Sequence, residues 1–147
     1  MDDEFIQQLQ NSVRSVPDFP IQGIMFRDIT PVLADGKLLV DVVDRMVRDI
    51  EVLGCEPTHI VGPESRGFIF GSLVALQMGI GFIPVRKPGK LPGEVLKKNY
   101  KLEYGENSLS INKKSLQKFN SYAIVDDLLA TGGTVNCVSS LLEENNK

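Results

Sequence analysis

Tryptophan is absent from this 147-residue chain, histidine occurs once and cysteine twice. Cys55 and Cys137 stand far apart and share no metal-ligand spacing, so two reduced thiols in a cytoplasmic protein are expected. The lone His59 precedes an expected strand and is read as structural. Positive charge is not in excess: the formal net charge of −3 gives neither a nucleic-acid backbone nor an anionic membrane surface a reason to bind. No apolar run approaches transmembrane length, and the opening Met-Asp-Asp-Glu is not the basic n-region of a secretory signal. Internal repeats and low-complexity segments are also missing. What is present is ordinary for a soluble globular chain, 42% hydrophobic and 24% charged. The length is that of one domain, which buries about 68–70% of its unfolded surface.

Apolar periodicity alternates between helical and extended. Phe5, Ile6, Leu9, Val13 and Val16 predict a helix that Pro17 ends. Residues 17–31, rich in proline and glycine, predict a loop with a short extended piece. Asp35 is placed to cap a helix carrying Leu38, Leu39, Val42, Val43, Met46, Val47, Ile50 and Leu53, with Gly54 just past its end. Strands are expected at 60–62, 81–86 and 122–125, and a helix at 68–78 closed by Gly79. Residues 87–121 read as a long loop plus a hairpin of 100–104 with 108–111. This alternation predicts an α/β fold with a mostly parallel, doubly wound sheet flanked by helices. Ligands of such sheets bind beyond the carboxyl ends of the strands.

The richest chemistry lies in the third of these strand ends. Tyr122-Ala123-Ile124-Val125 runs into Asp126-Asp127, and Ala130-Thr131-Gly132-Gly133-Thr134 then opens a helix with Val135, Val138, Leu141 and Leu142 on its apolar side. Two carboxylates can accept hydrogen bonds from vicinal ribose hydroxyls. The small residues leave backbone N–H groups and hydroxyls to cradle a phosphate in the favourable field of a helix N-terminus. The first strand leaves into Glu64-Ser65-Arg66-Gly67 and the second into Arg86, Lys87 and Lys90. Taken singly these are a helix start with an exposed arginine and a solvated basic turn. Gathered on one edge of a parallel sheet, they bring cations beside a ribose site, as a strongly anionic ligand requires.

These residues resemble the type I phosphoribosyltransferases over essentially the whole chain, with residues 124–134 similar to their signature for 5-phosphoribosyl 1-diphosphate. Further similar pieces are Pro17-Asp18-Phe19-Pro20, residues 23–31, Ser65-Arg66-Gly67-Phe68, residues 86–93 and residues 100–105. Phe26-Arg27-Asp28 and Leu102-Glu103-Tyr104-Gly105 are what separate the members acting on adenine from their relatives. The resemblance implies purine salvage in the cytoplasm by a homodimer: adenine and 5-phosphoribosyl 1-diphosphate give AMP and diphosphate, with Mg²⁺ held through the donor and by no direct protein ligand, or else via Asp126 or Asp127.

Roles follow by position. Asp126 and Asp127 would hold the ribose hydroxyls, Ala130, Thr131, Gly132, Gly133 and Thr134 the 5′-phosphate. Ser65, Arg66 and Gly67 would form the diphosphate loop, with a non-proline cis peptide between Glu64 and Ser65. Lys90 would serve the donor, and Arg66 with Lys87 the departing diphosphate. Met25, Phe26 and Arg27 would bind adenine, Phe26 by stacking. Glu103 would handle the purine proton, or else stand as a strand-surface charge. Residues 1–33 would form a hood over the base, and 34–147 the core with a mobile loop at about 87–99. Glu64 stands where such enzymes more usually carry aspartate. The resemblance also implies a strand-helix-strand unit beyond the signature helix, whereas thirteen residues follow Thr134. A C-terminally shortened sheet is therefore expected, and with it an alternative: an impaired variant that binds the donor or regulates a partner.

Overall fold

The computed structural model describes residues 2–101, 106–117 and 120–144, which form two compact units, Met1–Met46 and Val47–Lys147. The first holds α1 (Asp2–Ser12), the strands β1 (Arg14–Val16) and β2 (Phe26–Asp28), α2 (Thr30–Ala34) and the larger part of α3 (Gly36–Val52). The division falls inside α3.

The helical periodicity of residues 5–16 is only partly realised. Helix α1 stops at Ser12, and residues 14–16 pair antiparallel with residues 26–28, Ser15 opposite Arg27. A strand partner ten residues downstream overrides a local helical pattern, which cannot register it. Asp28 secures this corner. One carboxylate oxygen accepts from the Thr30 N–H at 2.8 Å and the other from Arg14 Nε at 3.0 Å. The Thr30 hydroxyl and N–H, with Arg14 behind them, hold the Asp28 pKa down to about 2. Thr30 and Pro31 open α2, a helix not expected from the sequence. Asp35 does cap α3, accepting from the Leu38 N–H at 3.0 Å.

The second unit is built on a five-stranded sheet in the order β5-β6-β4-β3-β7. Strand β3 (His59–Pro63) pairs in parallel with β4 (Gly81–Arg86) on one side and β7 (Tyr122–Ile124) on the other. Beyond β4 the sheet turns antiparallel, through β6 (Glu106–Asn112) and then β5 (Val95–Lys101). Helix α4 (Arg66–Met78) follows β3, and α5 (Gly133–Glu144) follows β7. Gly79 ends α4 at φ 67°, its N–H donating back to Leu76. Alternation along the strands places the helices on opposite faces. Ile60 and Phe82 approach Gly71 of α4, whereas Val61, Ile83 and Val85 share a buried cluster with Cys137, Val138, Leu141 and Leu142 of α5. The expected doubly wound architecture is present, with an antiparallel hairpin added.

That hairpin is longer than residues 100–104 with 108–111. Strand β5 begins at Val95, paired with Asn112, so only residues 87–94 of the expected 87–99 loop lie outside regular pairing. Leu96 and Tyr100 pack on the core. Lys98, between them on the same face, reaches Glu144 of α5 at 3.1 Å. A lysine in an inward position disguises the strand alternation.

Candidate active site

At the carboxyl ends of β3, β4 and β7 lies a cleft of about 200 Å³ lined by Glu64, Ser65, Arg66, Lys87, Asp126, Asp127 and Thr134, and by Tyr100, Asn107, Ser108, Leu109 and Leu128. The parallel register dictates this. With Pro63 opposite Val85 and Val61 opposite Ile124, the three strands leave the sheet on the same edge.

Asp127 and Arg66 form the centre. Arg66 Nε donates to Asp127 Oδ2 at 2.7 Å, and Nη2 donates to the same oxygen. The Asp127 side chain is 7% exposed, and its second oxygen, Oδ1, is buried with no partner among the described residues. A buried acceptor without a donor is unfavourable by about 1–3 kcal/mol, and a ligand hydroxyl placed there would satisfy it. Asp126 Oδ1 accepts from the Asp127 N–H at 2.9 Å. Burial raises the Asp126 pKa above the usual carboxylate value, and the neighbouring Asp127 charge adds to this against that N–H bond.

The raised Asp126 pKa sets a sign for stability. The folded state holds this proton more tightly than the unfolded chain, so ionised Asp126 opposes folding at neutral pH. That opposition vanishes below the ordinary value of 3.8. Asp126→Asn keeps an oxygen for the Asp127 N–H and removes the charge. Urea midpoints are expected to be higher for the variant than for the parent at about pH 7 and to converge at about pH 3. An equal gap at both would refute the assignment.

Beyond Asp127, Gly132 at φ 80° turns the chain into α5, where Gly133 N–H donates to Thr131 Oγ1 at 3.3 Å. Of the expected cradle, Thr134 lines the cleft, and Ala130, Thr131, Gly132 and Gly133 precede it in the chain. Gly67 does not line the cleft. It is buried in the first turn of α4, where a Cβ would meet Pro63 Cδ at 2.7 Å. The peptide between Glu64 and Ser65 is cis, as the resemblance implies.

The expected trio of cations after β4 is reduced to one. Arg86 turns away to Glu64, with Nε at 2.9 Å from Oε2, and lies 5.8 Å from the Phe68 ring centroid. Lys90 is exposed and contributes its backbone carbonyl to Arg86 Nη1. Only Lys87 from that turn lines the cleft. Tyr100, Asn107, Ser108 and Leu109 come from the antiparallel hairpin, and of these only Tyr100 falls in a segment the resemblance singles out. Met25, Phe26 and Arg27 belong to the first unit, where Phe26 meets Phe19 edge-on at 5.1 Å and Arg27 donates to the Ser15 hydroxyl. Glu103 lies outside the described residues. His59 stands at the opposite end of β3, its Nδ1 at 3.0 Å from the Thr58 hydroxyl.

Carboxylates beside cations at the ends of parallel strands suit a ribose bearing phosphate groups, and comparison with known proteins agrees. The phosphoribosyl transferase domain family matches residues 32–146. Adenine phosphoribosyltransferase of Clostridium beijerinckii is 52% identical over 136 residues, which is 92% of this chain and 78% of that protein. The crystal structure of adenine phosphoribosyltransferase from Thermoanaerobacter pseudethanolicus matches with a TM-score of 0.91 at 45% identity, over 96% of this chain and 81% of the other. The enzyme from Saccharomyces cerevisiae, solved with adenine and an imino-altritol bisphosphate, matches with a TM-score of 0.92 at 38% identity, over 98% and 83%. This chain belongs to the phosphoribosyltransferase family, within its adenine phosphoribosyltransferase branch.

Proposed function

We infer that this protein transfers the phosphoribosyl group of 5-phosphoribosyl 1-diphosphate to adenine, giving AMP and diphosphate. The observation that carries the reading is the meeting of Arg66, Lys87, Asp126 and Asp127 in one cleft, in a chain half identical to an adenine phosphoribosyltransferase. Breaking the bond between C1′ and the diphosphate builds positive charge on the ribose and negative charge on the departing oxygens. Arg66 and Lys87 face the second, which stabilises the transition state more than the ground state. Asp127, through the Oδ1 that has no partner among the described residues, and Asp126 accept from the ribose hydroxyls. Thr134 and the start of α5 receive the 5′-phosphate.

Mg²⁺ belongs to this proposal. Among the described residues no group of three or more His, Cys, Asp or Glu side chains is placed to hold a metal. Two adjacent carboxylates do suit an ion held mainly by substrate phosphates and water. Asp126 and Asp127 would be its protein ligands, and the ion would supply neutralising charge to the diphosphate. Phe26 stacks on adenine with Met25 and Arg27 at its edge, Glu103 handles the purine proton, and residues 87–94 close over the donor.

We place the protein in the cytoplasm as a homodimer. Among the described residues no helix is long and apolar enough to cross a membrane. Ile69 and Leu76 lie exposed on α4, just past the diphosphate loop, as apolar surface for a second copy to cover. The test is light scattering on a size-exclusion peak, followed by an adenine assay with donor and Mg²⁺ on the same fraction. A dimer forming AMP is expected; absence of AMP overturns the reading. In the same assay Phe26→Ala is expected to raise the KM for adenine about tenfold through lost stacking. The KM for the donor should stay unchanged.

A further inference from the structure

A carboxylate in the wall of a diphosphate cleft is electrostatically out of place, yet Glu64 lines this one. Its side chain is 12% exposed and both oxygens are engaged. Oε1 accepts from the Lys87 backbone N–H at 2.8 Å, and Oε2 from Arg86 Nε at 2.9 Å. The Glu64 N–H itself donates to the Val85 carbonyl at 2.9 Å. The loop after β3 is thus fastened to the end of β4 by three hydrogen bonds from one residue. Arg86 extends the connection, through Nη1 to the Lys90 carbonyl at 3.3 Å and through its guanidinium to the face of Phe68 in α4. Burial opposes ionisation of Glu64, but the Lys87 N–H and Arg86 outweigh it and hold the pKa below the usual value.

We propose that Glu64 is a positioning residue for the diphosphate of the donor, fixing the backbone at Lys87 so that this ammonium enters the cleft beside Arg66. The proposal rests on the donor reading given above. Lys87 is the first residue beyond β4, and a lysine side chain has four rotatable bonds, so its reach into the cleft depends on where its backbone is held. Glu64 supplies that anchor directly. Arg86 cancels the carboxylate charge, so the anchor does not repel the anion it serves. The guanidinium of Arg86 is therefore a counter-ion to the clamp.

Two substitutions separate these roles. Glu64→Gln keeps an oxygen for one N–H but loses the charge that holds Arg86; Glu64→Asp keeps the charge and loses one methylene of reach. Steady-state kinetics are expected to show the donor KM raised about tenfold in Glu64→Gln, the size of one charge-assisted hydrogen bond. The adenine KM is expected to remain within about twofold, and Glu64→Asp to recover part of the loss. Arg86→Gln breaks the same clamp from its other partner and must reproduce the split, which keeps the test decisive if Glu64→Gln fails to fold. Equal rises in both KM values, activity lost only in proportion to the folded fraction, or a lowered donor KM would each overturn the proposal. A parent protein that forms no AMP would instead overturn the underlying functional reading.

Discussion

Replacing Arg66 with alanine is expected to lower kcat/KM for the donor by about 10²- to 10³-fold, and to destabilise the fold as well. The two effects share one cause. Arg66 gives both Nε and Nη2 to a single oxygen of Asp127, and the other oxygen is already buried without a partner among the described residues. Truncating Arg66 strips an almost fully buried carboxylate of the cation that faces it. Removing one member of a buried ion pair costs about 3–5 kcal/mol; Arg66 keeps 26% exposure, so about 2–3 kcal/mol is expected here. The double variant Arg66→Ala, Asp127→Asn removes the stranded charge and should recover most of the stability. It should recover none of the activity, because the cation facing the diphosphate is still missing. Urea unfolding beside donor kinetics on both variants checks this. Activity that returns with stability would show that Arg66 serves the fold and not the donor.

That dual role also explains which parts of the site the sequence displays. Asp126-Asp127 ahead of Thr131-Gly132-Gly133-Thr134, and Arg66 at the head of a helix, are contiguous signals. The parallel β3, β4 and β7 that carry them follow from short apolar runs alternating with helical periodicity. Where pairing is non-local, the sequence is mute. Residues 14–16 continue a helical pattern and become a strand because residues 26–28 lie opposite. Val95 to Asn99 read as loop because Lys97, Lys98 and Asn99 are polar, yet Lys98 is accommodated by Glu144 across the sheet face. For the same reason Asn107 and Ser108 enter the cleft unannounced. Arg86 shows the opposite error. Beside Lys87 it reads as a second cation for the ligand, and only the fold reveals that Glu64 claims it.

Gly62→Ala is expected to be the most damaging single-methyl addition in the second unit. The new Cβ would stand 2.5 Å from the Gly67 carbonyl oxygen and 2.8 Å from Phe82 Cε2. Neither obstacle yields easily. Gly67 is itself wedged against Pro63 and the Val125 carbonyl, and the Phe82 ring meets Phe68 edge-on at 5.8 Å. Overpacking typically costs about 1–3 kcal/mol, and with backbone on one side and a fixed ring on the other about 3 kcal/mol is expected. The consequence for function follows from which backbone must move. The Gly67 carbonyl belongs to the loop that carries Ser65 and Arg66, and a displacement of about 1 Å in a positioning group can cost about 10²-fold in rate. Gly71→Ala is the internal control. Its Cβ meets the same Phe82 atom at 2.8 Å, with Ile60 Cγ2 and Phe82 Cδ2 next at 3.5 Å, so about 1–2 kcal/mol of stability should be lost with donor kcat/KM intact. Adding Phe82→Leu to each variant divides the causes. The smaller side chain should relieve the Gly71→Ala defect, but it should leave Gly62→Ala impaired toward the donor, because the carbonyl of Gly67 is still in the way. Full rescue of both by Phe82→Leu would place the strain in the ring and clear the diphosphate loop of any part in it.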